Sequence, residues 1–271
     1  MSDSRIHHRR FYVPAERIRD GWVEFAPAQV HQVTQVLRLR PGDEVSVFDG
    51  SGREVVAALA TTTPRRATAR ILREARRMPG PDLAITLAQV IPRGAAMDLI
   101  VAKATELGVA RLVPLEGERS VRRASPEESG VLRTGRAPRW LRIVREAAEQ
   151  CGRRELPVIE PARRLEEFLL SHPPSTPLVA CDAGEGNRPL LAVCGELRGS
   201  STITLLVGGE GGLSPAEVER LRSHGARLAW LGPRILRVET AALTALGIIQ
   251  ASLGDWQAPP PGGGTGAGAS P

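Results

Sequence analysis

The spacing of apolar residues changes character near residue 77. Ahead of it the pattern is one of short strands: "DEVSVFDGSGREVVAAL" places two β-rich runs around Asp49-Gly50-Ser51-Gly52, which predicts a hairpin, and "ATARIL" predicts a third strand. "PAQVHQVTQVLRLRPGD" predicts a short helix from Ala28 to Leu39, stopped by Pro41-Gly42. Together these make a small barrel-like module over residues 1–76. Arg76–Asp82, "RRMPGPD", is rich in Pro and Gly and marks the boundary.

From Leu83 strands and helices alternate. The apolar runs "LAITLAQV", "RLVPL", "PLVAC", "TITLLVG" and "ARLAWLG" are separated by helical stretches such as "AAMDLIVAKATELG", "RWLRIVREAAEQCG" and "PAEVERLRSHG". This order predicts an α/β domain over residues 77–257, with a mostly parallel sheet covered by helices on both faces. Ligands of such sheets bind at the carboxyl ends of the strands. The low-complexity tail 258–271, "APPPGGGTGAGASP", is expected to be disordered.

Composition narrows the function. The start, "MSDSRIHHRRFYVP", is polar and basic where a signal peptide needs an apolar stretch, and no apolar run reaches membrane-spanning length, so a cytoplasmic protein without a membrane partner is expected. Cys151, Cys181 and Cys194 are odd in number and far apart, without a metal-binding spacing, which predicts reduced thiols and no metal. Net charge is +6, and Lys103 is the only lysine among 36 basic residues. Arginine gives bidentate phosphate recognition, and from Arg119 to Arg154 ten arginines face four glutamates, which points to a nucleic-acid partner.

Two turns carry candidate chemistry. "LLVGGEGGLSPAEVERL" ends a strand at Val207, passes through Gly208-Gly209-Glu210-Gly211-Gly212 and opens a helix, with Ser214 as N-cap, Pro215 in the first turn and Glu217 completing a capping box. The glycines let the backbone bend and present bare N–H and C=O groups to a ligand. Neither G-x-G-x-x-G nor a Walker loop is present, which disfavours dinucleotide and nucleoside-triphosphate readings. "LGPRILRVETAALTALG" repeats the layout. Glu239 in its first helical turn suits the helix dipole, whereas Arg237 just before that turn opposes it and needs another partner.

These stretches, with "HHRRFYVP", "HQVTQVLRLRPGDEVSVFDGSG", "RGAAMDLIVAKATELGV", "ERS" and "EAAEQCGR", resemble in order the 16S rRNA (uracil-N3)-methyltransferase family of the knotted SPOUT methyltransferases. The resemblance covers nearly the whole chain. It implies a PUA-like RNA-binding β-barrel domain, then a SPOUT domain with a deep C-terminal trefoil knot. It also implies a homodimer, S-adenosylmethionine as cofactor, and 16S rRNA or the small ribosomal subunit as partner. By position, the cofactor loops are Val207, Gly208, Gly209, Glu210, Gly211 and Gly212, and Leu231, Gly232, Ile235, Leu236 and Arg237. Gly209 and Val238 stand where the family pattern has proline and threonine, and the third loop, "CDAGEGN", matches that pattern poorly.

Methylation of uracil N3 requires loss of the N3 proton. The resemblance gives Arg237 and Glu239 the catalytic roles: Arg237 to stabilise charge on the uracil carbonyls, Glu239 to orient that arginine or accept the proton. The basic N-terminal arm makes Arg5, Arg9 and Arg10 candidate RNA contacts, with His7 and His8 beside them; Arg93 follows a strand end. Glu146, Gln150 and Arg153 join the RNA set by resemblance, although helical spacing also fits Arg142, Arg145, Glu146 and Glu149 as a solvated face. Lys103 and Glu106 match family positions and equally suit a helix-surface pair. Two rival functions stay open: a SPOUT enzyme acting on a ribose 2′-oxygen or another base, and a non-catalytic RNA-binding ribosome-assembly factor.

Overall fold

The hairpin forms where glycine permits it. Gly50 and Gly52 take φ of 86° and 101°, and the Ser51 N–H donates to Asp49 Oδ1 at 2.9 Å. The structure, a computed structural model, describes residues 9–75, 83–118 and 137–257; the Arg5 contact and the tail 258–271 lie outside these residues. In chain order the first elements are β1 Arg10–Tyr12, β2 Ile18–Arg19, β3 Trp22–Glu24, α1 Pro27–His31, β4 Glu44–Phe48, β5 Glu54–Thr63 and β6 Arg66–Glu74. There follow β7 Ala84–Val90, α2 Ala96–Glu106, β8 Arg111–Glu116, α3 Ala137–Cys151, β9 Val158–Ile159, β10 Arg163–Arg164, α4 Leu165–Ser171 and β11 Leu178–Cys181. The last are β12 Arg188–Pro189, α5 Leu190–Glu196, β13 Thr202–Val207, α6 Pro215–Ser223, β14 Arg227–Trp230 and α7 Val238–Leu253.

The described residues pack as two compact units, one of residues 9–75, 94–114 and 137–162, the other of 83–93, 115–118 and 163–257. The first contains a six-stranded sheet in the order β1-β4-β5-β6-β3-β2, in which β1 and β4 are parallel and the other pairs antiparallel. Alternate positions of β4 and β5 (Val45, Val47, Val55, Ala57, Leu59) meet Phe11, Val23 and Phe25 in one buried cluster. The expected helix over 28–39 is shorter. The α-helix closes at His31 and widens into a π turn over Gln32–Val36, with the Leu37 N–H on Gln32 O at 2.9 Å. Val30, Val33 and Leu37, at helical spacing, pack on the cluster, and the chain leaves the helix at Arg38 with φ 51°, which lets Leu39 join them.

One arginine joins this sheet to α3 within the same unit, and it overturns an expectation. Arg10 is not an exposed RNA contact: it is 6% exposed, with Nε on Glu54 Oε1 at 2.8 Å, Nη1 on Ala148 O at 2.6 Å and Nη2 on Arg153 O at 2.8 Å. Its guanidinium lies 3.9 Å from the centre of the Phe48 ring. It lies on the face of β1 opposite Phe11, beneath α3, and its charge is satisfied there by a carboxylate and two carbonyls. Glu54 also receives Ser46 Oγ and pairs with Arg154. Burial alone would raise the Glu54 carboxyl; the hydrogen bonds from Ser46 and Arg10 and the charges of Arg10 and Arg154 hold it below the usual range.

The second unit carries the parallel sheet. Its order is β10, the end of β8, β7, β13, β11, β14 and β12, and every recorded pairing is parallel. All five long strands and all three helices read from the sequence form. The strands that the sequence does not signal, β1, β2, β3, β9, β10 and β12, are two or three residues long, too short for a periodic pattern.

The Glu54 carboxyl is depressed in the folded state, so its contribution is full above its unfolded value of 4.5 and is lost as pH falls through the lower folded value. Arg10→Ala should therefore lower stability at pH 7 by about 3 kcal/mol, and by less at acid pH, where Glu54 is protonated. Urea unfolding at both pH values measures this; an unchanged midpoint at pH 7 contradicts it.

Candidate functional site

Register puts the candidate loops at one edge. Gln89 of β7 lies opposite Val207 of β13, Val207 opposite Cys181 of β11, and Cys181 opposite Ala229 of β14. Because the strands are parallel and end on one row, the chains that follow them leave the sheet together. This brings together segment 91–93, loop 208–213, loop 182–187 and loop 231–237, which include most of the residues predicted for the cofactor.

The glycine loop is tight. A side chain on Gly208 would bring a Cβ within 3.1 Å of the Gly212 carbonyl carbon and 3.2 Å of the Leu213 nitrogen. Gly212 has φ 67°, and its N–H donates to Gly209 O at 2.9 Å, folding the loop on itself. Glu210 is exposed and accepts the Arg93 backbone N–H at 2.6 Å, which ties this loop to the end of β7. Arg93 thus contributes its backbone here, while its side chain is exposed.

The predicted capping box is present and reaches further than one helix. Glu217 N–H donates to Ser214 Oγ at 3.0 Å and Ser214 N–H to Glu217 Oε2 at 2.7 Å, while Glu217 Oε1 accepts the Glu118 N–H at 2.9 Å. Ser214 Oγ also donates to Glu118 Oε2 at 2.6 Å, and Arg220 pairs with Glu118 at 2.6 Å. The Ser214 hydroxyl, then Arg220, lowers the Glu118 carboxyl. These bonds fix where the glycine loop meets α6.

Gln89 belongs to this site although sequence reasoning did not select it. It is fully buried, and its Nε2 donates to Val90 O at 2.9 Å, Gly208 O at 3.2 Å and Val207 O at 3.3 Å, holding the mouth of the glycine loop. Its Oε1 is buried without a partner among the described residues. The signal that could have found it is one amide inside the apolar run "LAITLAQV", where a strand covered on both faces should be apolar throughout.

In the second loop Gly232 has φ 108°, Ile235 is wholly exposed, and Leu231 and Leu236 are half-buried. Arg237 is the N-cap residue of α7, its carbonyl accepting the Ala241 N–H at 2.8 Å. Neither the Arg237 guanidinium nor the Glu239 carboxylate has an ion pair or side-chain hydrogen bond among the described residues, and the two are not bonded to each other. Val238, between them, is buried and faces the core.

The third loop is organised by Asp182, whose Oδ2 accepts from Asn187 Nδ2 at 2.7 Å and the Gly184 N–H at 3.1 Å. Burial, with Cys194 and Asp182 adding to it, pushes the Cys181 thiol up to about 12, so it carries no thiolate at neutral pH. All three cysteines are unpaired, and the described residues hold no His, Cys, Asp and Glu cluster suited to a metal. No described helix is long and apolar enough to cross a membrane.

The other predicted RNA residues lie in the first compact unit. Arg9 pairs with Asp43 at 3.2 Å. Glu146 is exposed, 3.9 Å from Arg142 one helical turn back, and Gln150 is exposed. Arg153 is half-buried, its Nη1 on Thr105 O at 3.1 Å and its carbonyl on Arg10. Lys103 and Glu106 form a helix-surface pair at 2.8 Å.

Comparison with known proteins converges on one group. Residues 79–250 match a family model described as an RNA methyltransferase domain, and residues 27–72 match an RNA methyltransferase PUA domain. The chain is similar to ribosomal RNA small subunit methyltransferase E of Synechocystis, with 32% identity over 93% of this chain and 80% of the relative. A crystal structure of ribosomal RNA small subunit methyltransferase E from Neisseria gonorrhoeae, bound to S-adenosyl methionine, superposes with a TM-score of 0.80 and 34% identity, covering 92% of this chain and 99% of that one. A putative methyltransferase from Legionella pneumophila in complex with the same cofactor gives 0.78 and 30%, covering 91% and 98%.

Gly208→Ala tests the loop geometry. Its backbone neighbours must shift by a few tenths of an ångström, which should cost about 1–3 kcal/mol of stability. Thermal melting of the variant measures the loss; a melting temperature equal to wild type would show that the loop is slack.

Proposed function

The chain belongs to the family of ribosomal RNA small subunit methyltransferase E proteins, and from that membership we propose that it transfers the methyl group of S-adenosylmethionine to N3 of a uridine in 16S rRNA. The observation that carries the proposal is the pair of glycine-bearing loops at one sheet edge, with Arg237 and Glu239 unpaired at the second.

The residue types of the two loops suit the cofactor. A loop in which Gly208 leaves no space for a Cβ presents backbone N–H and C=O groups, and Leu231, Ile235 and Leu236 supply apolar surface for an adenine ring. Gly208 to Gly212 and Leu231 to Arg237 would hold it. When bound, S-adenosylmethionine supplies an electrophilic methyl on a sulfonium centre. The chain itself must favour the uracil anion and take its proton. The Arg237 guanidinium, free of any protein carboxylate among the described residues, is suited to the negative charge on the uracil carbonyls. The Glu239 carboxylate is suited to accept the N3 proton or to position Arg237 once substrate is present. Gln89 acts one step back, by fixing the carbonyls of Val207 and Gly208.

We extend the proposal to the trefoil knot, to a homodimer with 16S rRNA or the small subunit as partner, and to a cytoplasmic location. These rest on the family. Exposed residues Glu146 and Gln150, with Arg9 and the Arg93 side chain, are the RNA contacts it retains.

Two measurements test this. Mass spectrometry of 16S rRNA nucleosides should lose one 3-methyluridine when the gene is deleted, and an unchanged level refutes the uridine N3 assignment. Arg237→Ala should keep the fold and some RNA binding while methylation falls at least ~100-fold, the scale of losing a transition-state donor. Wild-type turnover by that variant would remove Arg237 from the mechanism.

A further inference from the structure

The outer corner of the small sheet has a feature the core does not require. Trp22 is 47% exposed although its neighbour Val23 is fully buried. It sits just after the two-residue loop Asp20-Gly21, where φ is 50° and 79°, both positive as a tight hairpin turn requires. The Gly21 carbonyl accepts the Ile71 N–H at 2.8 Å, so the turn is pinned to β6. Strand register then places Arg19 directly opposite Trp22 on one side and Arg70 directly opposite it on the other. The indole is the middle member of an Arg-Trp-Arg row across three strands.

A groove of about 650 Å³ runs past this row, lined among others by Arg17, Arg19, Trp22 and Arg66. Glu16 and Glu24 line it too, and Glu24 lies 3.9 Å from Arg66. Among the described residues Arg17 and Arg19 in the groove, and Arg70 beside it opposite Trp22, have no ion pair, and against them stands one unpaired carboxylate, Glu16, so positive charge is in excess around the indole.

We propose that this groove binds unpaired RNA, with one base stacked on Trp22 and backbone phosphates on Arg17, Arg19 and Arg70. The proposal rests on the RNA-modifying function above and adds a second contact surface to it. An aromatic face flanked by cations is what single-stranded nucleic acid uses, because every base has a π-face and every linkage a charge. An acidic peptide would satisfy the arginines but has no flat group for the indole.

The test uses the full chain and a fluorescein-labelled twelve-nucleotide oligouridylate, read by anisotropy. Trp22→Ala should weaken binding at least ~5-fold, the loss of one stacked base, while Trp22→Phe, which keeps a stacking face, stays within about 3-fold of wild type. Arg19→Ala with Arg70→Ala should weaken binding and make its salt dependence shallower by ~1.4 in slope. Equal affinity for wild type and Trp22→Ala overturns the proposal, as does a wild type that fails to bind the oligonucleotide. Labelled oligoglutamate that binds as tightly and displaces the RNA also overturns it, making the groove a site for an acidic protein segment. Calorimetry with S-adenosylmethionine on the same variants reads the methyltransferase site alone and should be unchanged. Loss of cofactor binding by wild type with oligouridylate binding intact would fail the enzyme reading and leave the groove supported.

Discussion

Everything proposed for the site depends on one register. Gln89, Val207, Cys181 and Ala229 form a single row across four parallel strands. A parallel ladder slipped by one residue would turn every side chain to the other face. Here the apolar interiors of β13 and β11 fix the row, since nearly every residue of both strands is buried. The loops that follow are therefore delivered to a common edge by burial, before any ligand is present. Within that edge, hydrogen bonds from Gln89, Glu210 and the Ser214–Glu217 box hold the glycine loop. The charged side chains of Arg237 and Glu239 remain unengaged among the described residues. Rigid backbone beside unpaired charge is an arrangement suited to differential binding of a transition state.

The first compact unit uses its arginines differently. Arg10 serves the fold, bonded to Glu54 and to two carbonyls, whereas Arg17, Arg19 and Arg70 stand outside without carboxylates among the described residues. Net charge of +6 does not separate the two kinds. What separates them is cover: Arg10 lies on the face of β1 opposite the core residue Phe11 and is buried there beneath α3, while Arg19 and Arg70 flank the exposed Trp22.

Much of this was legible in the chain. Alternation of strand and helix after Leu83, the turn at Asp49–Gly52 and the cap at Ser214 each have a local physical cause, and each is found in place. The helix expected over 28–39 shows the limit: Val30, Val33 and Leu37 keep the helical spacing, yet that spacing does not reveal the π turn over Gln32–Val36 or the left-handed residue Arg38 that ends it. Arg10 shows another: "HHRRFYVP" reads as a basic arm, and only the partners Glu54, Ala148 and Arg153, distant in sequence, reveal a buried anchor. Gln89 was visible as an amide among apolar residues, yet its role needed the position of the Gly208 carbonyl. The cofactor came from resemblance and from the family, since periodicity places loops without saying what fills them.

The central claim is that the cofactor lies against the two loops at the carboxyl edge of this row. Hydrogen–deuterium exchange of the full chain, followed by mass spectrometry with and without S-adenosylmethionine, tests it directly. The predicted result is slowed exchange concentrated in residues 208–213 and 231–241. No slowing at saturating cofactor, or slowing confined to other segments, would contradict it.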